Sequence, residues 1–168
     1  MYAWQFQRML HVSDEHGLAL FVTMQNHYNL VYREEEREMI PLCRAEGVGL
    51  IPWSPLARGF LAGNRSKQDF GETVRAKTDD YAKGMYYRDS DFTVVERLTE
   101  IARKRGVSNA QVALAWMLSK PEVSAPIVGA SKMQHLDDAL NSLELRLDDE
   151  EIKSLEEPYE PHPVLGHS

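Results

Sequence analysis

Apolar positions recur along the chain in two rhythms. From Tyr2 to His16, Phe6, Met9, Leu10 and Ser13 fall three and four residues apart, which predicts a helix, and Gly17 follows as its C-cap. From Leu18 to Asn29 the rhythm changes. Ala19-Leu20-Phe21-Val22 is a short apolar run of the kind that makes a buried parallel strand, and Gln25, Asn26, His27, Tyr28 and Asn29 gather at its far end. Arg33 to Glu46 starts acidic and turns apolar at Met39, Ile40, Leu42, Cys43 and Ala45. That predicts a helix whose early acids suit its dipole, kinked or broken at Pro41 and ended by Gly47. Val48-Gly49-Leu50-Ile51 predicts a second buried strand, leading into Pro52-Trp53-Ser54-Pro55-Leu56.

Asn64 to Ser90 is polar and aperiodic, a long loop of the sort that is functional or disordered. Asp91 is placed to N-cap a helix with Val94, Val95, Leu98, Ile101 and Ala102 on its apolar face, closed by Gly106. Ser108 with Gln111 makes a capping-box pattern ahead of a helix through Val112, Ala115, Trp116 and Leu118. Ser124 to Ala130, around Pro126-Ile127-Val128-Gly129, predicts a third short strand. Ser131 with Gln134 predicts another capping box, opening a helix through Leu136, Leu140 and Leu143. Asp148 and Glu151 start a last helix through Ile152 and Leu155, and Pro158 to Ser168 is an irregular tail. Strands alternating with helices imply an α/β fold with a parallel sheet and right-handed crossovers. Three such strands leave two unpaired edges, so the sheet is expected to be part of something larger or to associate.

Composition narrows the function. With 168 residues, 43% hydrophobic and 27% charged, the chain can bury a core. A net charge of −7 disfavours sequence-independent nucleic-acid binding. No apolar run is long enough to span a membrane. Met1 to Leu10 shows no basic leader or continuous apolar stretch, so no secretory signal is expected and the cytoplasm is the expected compartment. The single cysteine, Cys43, lies among apolar residues at helical spacing and reads as a small core residue rather than a nucleophile.

Candidate chemistry collects where the strands end, as in parallel α/β folds generally. Gly129-Ala130-Ser131 leads into a helix N-terminus, whose free N–H groups and positive dipole end suit phosphate, with Lys132 adding charge; Ser131 serves equally as a plain N-cap. Trp53 offers a plane for a cofactor ring or fills the core. The Gln25 amide both donates and accepts, as a carboxamide requires, or simply faces water.

Together these segments resemble the aldo-keto reductase superfamily, over nearly the whole chain. Met24-Gln25-Asn26-His27-Tyr28-Asn29-Leu30 is similar to its sixth barrel strand. Ile51-Pro52-Trp53-Ser54-Pro55-Leu56-Ala57-Arg58-Gly59 is similar to the seventh and the turn after it, in the form shared by bacterial reductases and the potassium-channel β-subunit branch. Ile127 to Ser131, with the helix through His135 and Asp138, is similar to the eighth. The resemblance implies the C-terminal half of a (β/α)8 TIM barrel, with about three parallel strands and flanking helices. It implies one partial-barrel domain over 1–168: strand units at 1–63, a cofactor-clasp loop at 64–90, helices and the last strand at 91–157, and a tail at 158–168.

It also implies NADP(H) as cofactor and hydride transfer to an aldehyde or ketone. Gln25 would hold the nicotinamide carboxamide and Trp53 would stack on the ring. Ser54, Pro55, Leu56, Ala57 and Gly59 would line the pyrophosphate, with Arg75 over it as a cation. Gly129, Ser131, His135 and Asp138 would hold the adenosine end and its 2′-phosphate, although His135 and Ala139 replace the Arg or Gln and the Asn common in relatives. The family's catalytic Tyr, with its Lys, Asp and His, lies on the first four strands, so no catalytic residue is expected here. His27 is expected to be structural. A barrel needs roughly 200 residues or more, so the chain is expected to need the missing N-terminal half or to form a homo-oligomer. A non-catalytic nucleotide-binding half-barrel and a structural or regulatory module remain open alternatives.

Overall fold

Prolines decide how much sheet forms. The computed structural model describes residues 1–63 and 84–164. Its order is α1 (Ala3–Glu15), β1 (Thr23–Met24), α2 (Met39–Glu46), β2 (Gly49–Leu50), α3 (Asp89–Arg105), α4 (Asn109–Leu118), α5 (Met133–Asn141) and α6 (Asp149–Glu156), with 3-10 turns at Glu34–Glu36 and Ala57–Ala62. β1 and β2 are parallel, Thr23 opposite Gly49 and Met24 opposite Leu50. The same register continues past the strands to a His27–Trp53 bridge. The Gly49, Ile51 and Trp53 amides donate in turn to the Val22, Met24 and Asn26 carbonyls at 3.0, 2.9 and 2.9 Å.

The expected third strand does not form a ladder. Segment 122–127 runs beside β2 through one parallel bridge, Leu50–Val123. Ser124 N–H donates to the Leu50 carbonyl at 2.9 Å and Ile127 N–H to the Pro52 carbonyl at 2.8 Å. Pro52 and Pro126 have no N–H, so pairing lapses on both sides of the seam. Gly49 lets this segment approach, because a Cβ there would collide with Ser124 Oγ. The apolar run 19–22 is also not a buried strand: Leu20, Phe21 and Val22 are exposed, Val22 by 73%. It leads straight into β1, whose side away from β2 pairs with no further strand among the described residues.

The core forms where helices cover β2. Leu50, Leu98, Trp116, Phe60, Leu61, Tyr28 and Tyr32 are fully buried. α4 is buried on every side from Gln111 to Met117, as a helix enclosed by α3, α5 and the 57–62 turn should be. Cys43 is wholly buried, and burial pushes its thiol up to about 11, so it packs and is not a ready nucleophile.

Several helix starts differ from expectation. The break before α2 precedes Pro41, which then sits in the first turn, where its missing N–H is no loss. The acids before it form a separate 3-10 turn with Glu34 and Glu35 buried. α3 begins at Asp89, and Asp91 is its third residue, accepting from Arg88 N–H at 3.0 Å. α5 begins at Met133 with Lys132 as N-cap and no side-chain cap. Ser131 is therefore not the cap, because Gln134 turns forward to Asp138 instead. The box at Ser108/Gln111 forms as expected, the expected helix start at Asp148 and Glu151 proves to be a second box, and Gly47 and Gly106 close their helices in the left-handed region at φ 68°.

The tail is docked rather than loose. Tyr159 OH donates to Glu34 at 2.6 Å and accepts from Arg33 N–H at 2.9 Å. His162 N–H also donates to Glu34, and the His162 ring meets Asp91 at 3.0 Å with both side chains buried. Burial opposes ionisation of Glu34, but these donors and Arg37 win and hold its carboxyl below the usual range.

Candidate functional site

The three strand-end segments converge. The β1–β2 register sets residue 25 and its neighbours beside residues 51–53, and the Ile127–Pro52 bond draws the third segment alongside. Gln25, at the end of β1, is exposed. Trp53 is half-buried, one face stacked on His27 with ring centroids 4.2 Å apart and planes 14° from parallel.

The turn after Trp53 is strained. Ser54, Ala57 and Arg58 have φ of 57°, 47° and 56°, and Gly59 has 91°. Each non-glycine residue held there costs about 1–3 kcal/mol, and such clusters mark functional sites. Local bonds hold the turn: Arg58 N–H donates to Ser54 Oγ at 3.1 Å, Ala57 N–H to Ser54 O at 2.9 Å and Gly59 N–H to Leu56 O at 2.9 Å. From β1, Asn29 Nδ2 donates to Ser54 O at 3.0 Å. Pro55 and Ala57 are buried beneath it, while Ser54, Leu56 and Gly59 are half-buried. The N–H groups of Ala57, Arg58 and Gly59 are thereby spent on the turn itself, which holds its backbone rigid.

At the third segment Gly129, Ser131 and His135 are exposed. A Cβ at Gly129 would meet nothing within 4 Å, so packing does not require glycine there. Ser131 Oγ lies 3.4 Å from His135 Nδ1, one turn into α5. The first N–H groups of α5 have no intrahelical partner. Asp138 is half-buried and already accepts from Gln111 Nε2 at 2.9 Å and Gln134 Nε2 at 3.2 Å, which orients it from α4. Arg75, and most of the clasp segment, lie outside the described residues. The end of that segment is packed: Met85 and Tyr86 are buried, and Phe60 meets Tyr87 and Phe92 edge-on at 4.9 and 5.2 Å.

Sequence reasoning missed the support beneath Trp53. The His27 ring is sandwiched between Tyr32 and Trp53 at 4.2 Å each, with Nε2 2.6 Å from Tyr86 OH. Burial, with His162 adding to it, pushes the imidazole down to about 3. His27 is therefore a neutral core residue, as its placement on the strand suggested. Asn29 was visible only as one more polar residue at a strand end.

The described residues contain no cluster of metal-ligating side chains and no helix long and apolar enough to cross a membrane. Residues 1–160 match the aldo/keto reductase family model. A fission-yeast (Schizosaccharomyces pombe) protein, provisionally named an aryl-alcohol dehydrogenase, is 49% identical over 99% of this chain and 46% of its own length. The versiconal hemiacetal acetate reductase of Aspergillus parasiticus is 44% identical over 98% of this chain and 48% of its own. An aldo-keto reductase of Alternaria alternata is 43% identical over 100% of this chain and 44% of its own. The chain spans about half the length of the curated relatives it matches.

Proposed function

The chain belongs to the aldo/keto reductase family, and from that premise we propose that it is the NADP(H)-binding half of a carbonyl reductase. The family's barrel architecture accounts for the parallel β1–β2 pair, its flanking helices and its two open sides. The observation that carries the cofactor reading is the strained turn at 54–59 beside a half-buried Trp53 whose inner face is stacked on His27. A planar ring suits the outer face of that indole, and a diphosphate suits the rigid, half-buried turn beside it. The residues present thus fit a dinucleotide in kind: a stacking plane, an amide at Gln25, a tight turn, and a helix N-terminus with Lys132 and His135 for a further phosphate.

When bound, the nicotinamide supplies hydride for an aldehyde or ketone. This chain's residues bind and orient it: Gln25 takes the carboxamide, Trp53 the ring, Ser54 to Gly59 with Arg75 the pyrophosphate, and Gly129 to Asp138 the 2′-phosphorylated adenosine. No tyrosine of the chain takes the proton-donating role in this reading. Tyr28 donates to Glu36 at 2.6 Å, and burial pushes its hydroxyl well above the usual range; Tyr159 is committed to Glu34. The purified chain is therefore expected to bind NADPH without oxidising it when benzaldehyde is added. Aldehyde-dependent NADPH oxidation abolished by one substitution in this chain would contradict that.

Exposed apolar side chains on both flanks, Trp4, Leu20 and Val22 on one and Met133, Leu140 and Leu143 on the other, support a further reading. The isolated chain associates to cover them, and light scattering should give a mass above the monomer.

A further inference from the structure

We infer that His27 is a positioning residue for the Trp53 ring platform, locked in rotation by Tyr86 and Asn29. The inference rests on the proposed role of Trp53. The backbone fixes where Trp53 starts: its N–H donates to Asn26 O at 2.9 Å and it bridges His27 in parallel register. The tilt of the indole is then the remaining freedom, and one surface sets it. The imidazole lies nearly parallel to the indole at 4.2 Å and is backed at the same distance by Tyr32, itself fully buried. Tyr32 is tied to Asn29 by two backbone bonds of 3.1 Å. The three rings form a stack whose inner end cannot move.

The imidazole is also fixed about its own axis. Asn29 Nδ2 lies 3.3 Å from His27 Nε2 and 3.3 Å from Tyr86 OH. An amide nitrogen only donates, so Nε2 is assigned as an acceptor and Tyr86 O–H donates to it at 2.6 Å. The proton then sits on Nδ1, which has no hydrogen-bond partner among the described residues. As mere filling, a phenyl ring would stack without that unpaired N–H, which costs about 1–3 kcal/mol. What the imidazole adds is the bond to Tyr86. Asn29 donates as well to Ser54 O, so one network sets both the platform and the first residue of the strained turn.

The test compares two ligands. NADPH uses the platform, whereas 2′,5′-ADP carries only the adenosine end. His27→Ala is expected to weaken NADPH about tenfold, the upper size of one lost ring-stacking contact, and to leave 2′,5′-ADP within about twofold. His27→Phe, which keeps a ring and loses the Tyr86 bond, should recover part of the affinity, to within about threefold of the parent. Equal weakening of both ligands would mean a structural role only, and overturns the inference. So does His27→Ala leaving NADPH unchanged while Trp53→Ala weakens it. If Trp53→Ala itself has no effect on NADPH, the platform reading of the proposed function fails, and the inference with it. Should His27→Ala not fold, His27→Phe and Tyr86→Phe carry the test: each should weaken NADPH alone by about threefold, and parallel or absent effects overturn the inference.

Discussion

Replacing His27 by Phe should change how stability depends on pH. The imidazole is held neutral, down from 6.5 to about 3, so an unfolded chain takes up a proton that the folded chain refuses. This proton linkage costs nothing near pH 7.5, and stability is lost as pH falls below 6.5. At pH 5.5 the penalty, RT ln(1 + 10^(6.5 − 5.5)), is about 1 kcal/mol. Glu35 acts oppositely. Burial raises its carboxyl from 4.5 to about 7, so folding penalises its ionised form, and lowering the pH from 7.5 to 5.5 relieves part of that penalty. His27→Phe removes the histidine contribution alone. Its stability relative to the parent should rise by about 1 kcal/mol between pH 7.5 and 5.5, whatever the substitution costs at neutral pH. Urea unfolding at the two pH values, with m-values compared to establish like transitions, measures it. Parent and variant moving in parallel would show that His27 titrates freely, and would refute the buried, neutral assignment.

Four other changes follow from the packing. Tyr159→Phe strips Glu34 of a donor and Arg33 N–H of its acceptor and should cost about 2 kcal/mol in urea unfolding. His162→Ala leaves Asp91, 2% exposed, with only its bond from Arg88 N–H among the described residues, and should cost about 3 kcal/mol. Gly106→Ala forces a left-handed conformation at φ 68° and should cost about 1 kcal/mol, whereas Gly129→Ala meets open space and should stay within about 0.5 kcal/mol of the parent by the same assay.

What was legible in the sequence was local. The capping box at Ser108/Gln111, the helix start at Asp148 and Glu151 and the helix ends at Gly47 and Gly106 depend on bonds within a few residues, and all formed. The failures had partners elsewhere. Ser131 lost its capping role because Gln134 found Asp138. Ser124 to Ala130 looked like a strand, but Pro52 and Pro126, one on each side of the seam, left the pairing too few N–H groups. Ala19 to Val22 looked buried because an apolar run does not say whether a neighbour covers it. The acids at 34–36 looked like a helix start suited to its dipole, yet Glu34 is held by Tyr159 and His162, over a hundred residues later. At the candidate site, the motifs named Trp53 and the turn after it. The ring beneath the indole stayed hidden because His27, Tyr32 and Tyr86 form a stack only once the strands are in register.

The most direct test of the account is an NADPH titration of the purified chain followed by tryptophan fluorescence. Trp116 is fully buried and Trp4 lies out on α1, so the responsive indole should be Trp53. Saturable quenching that Trp53→Ala removes is the predicted result. No saturable signal, or quenching that survives Trp53→Ala, would contradict the claim that these strand ends form the cofactor site.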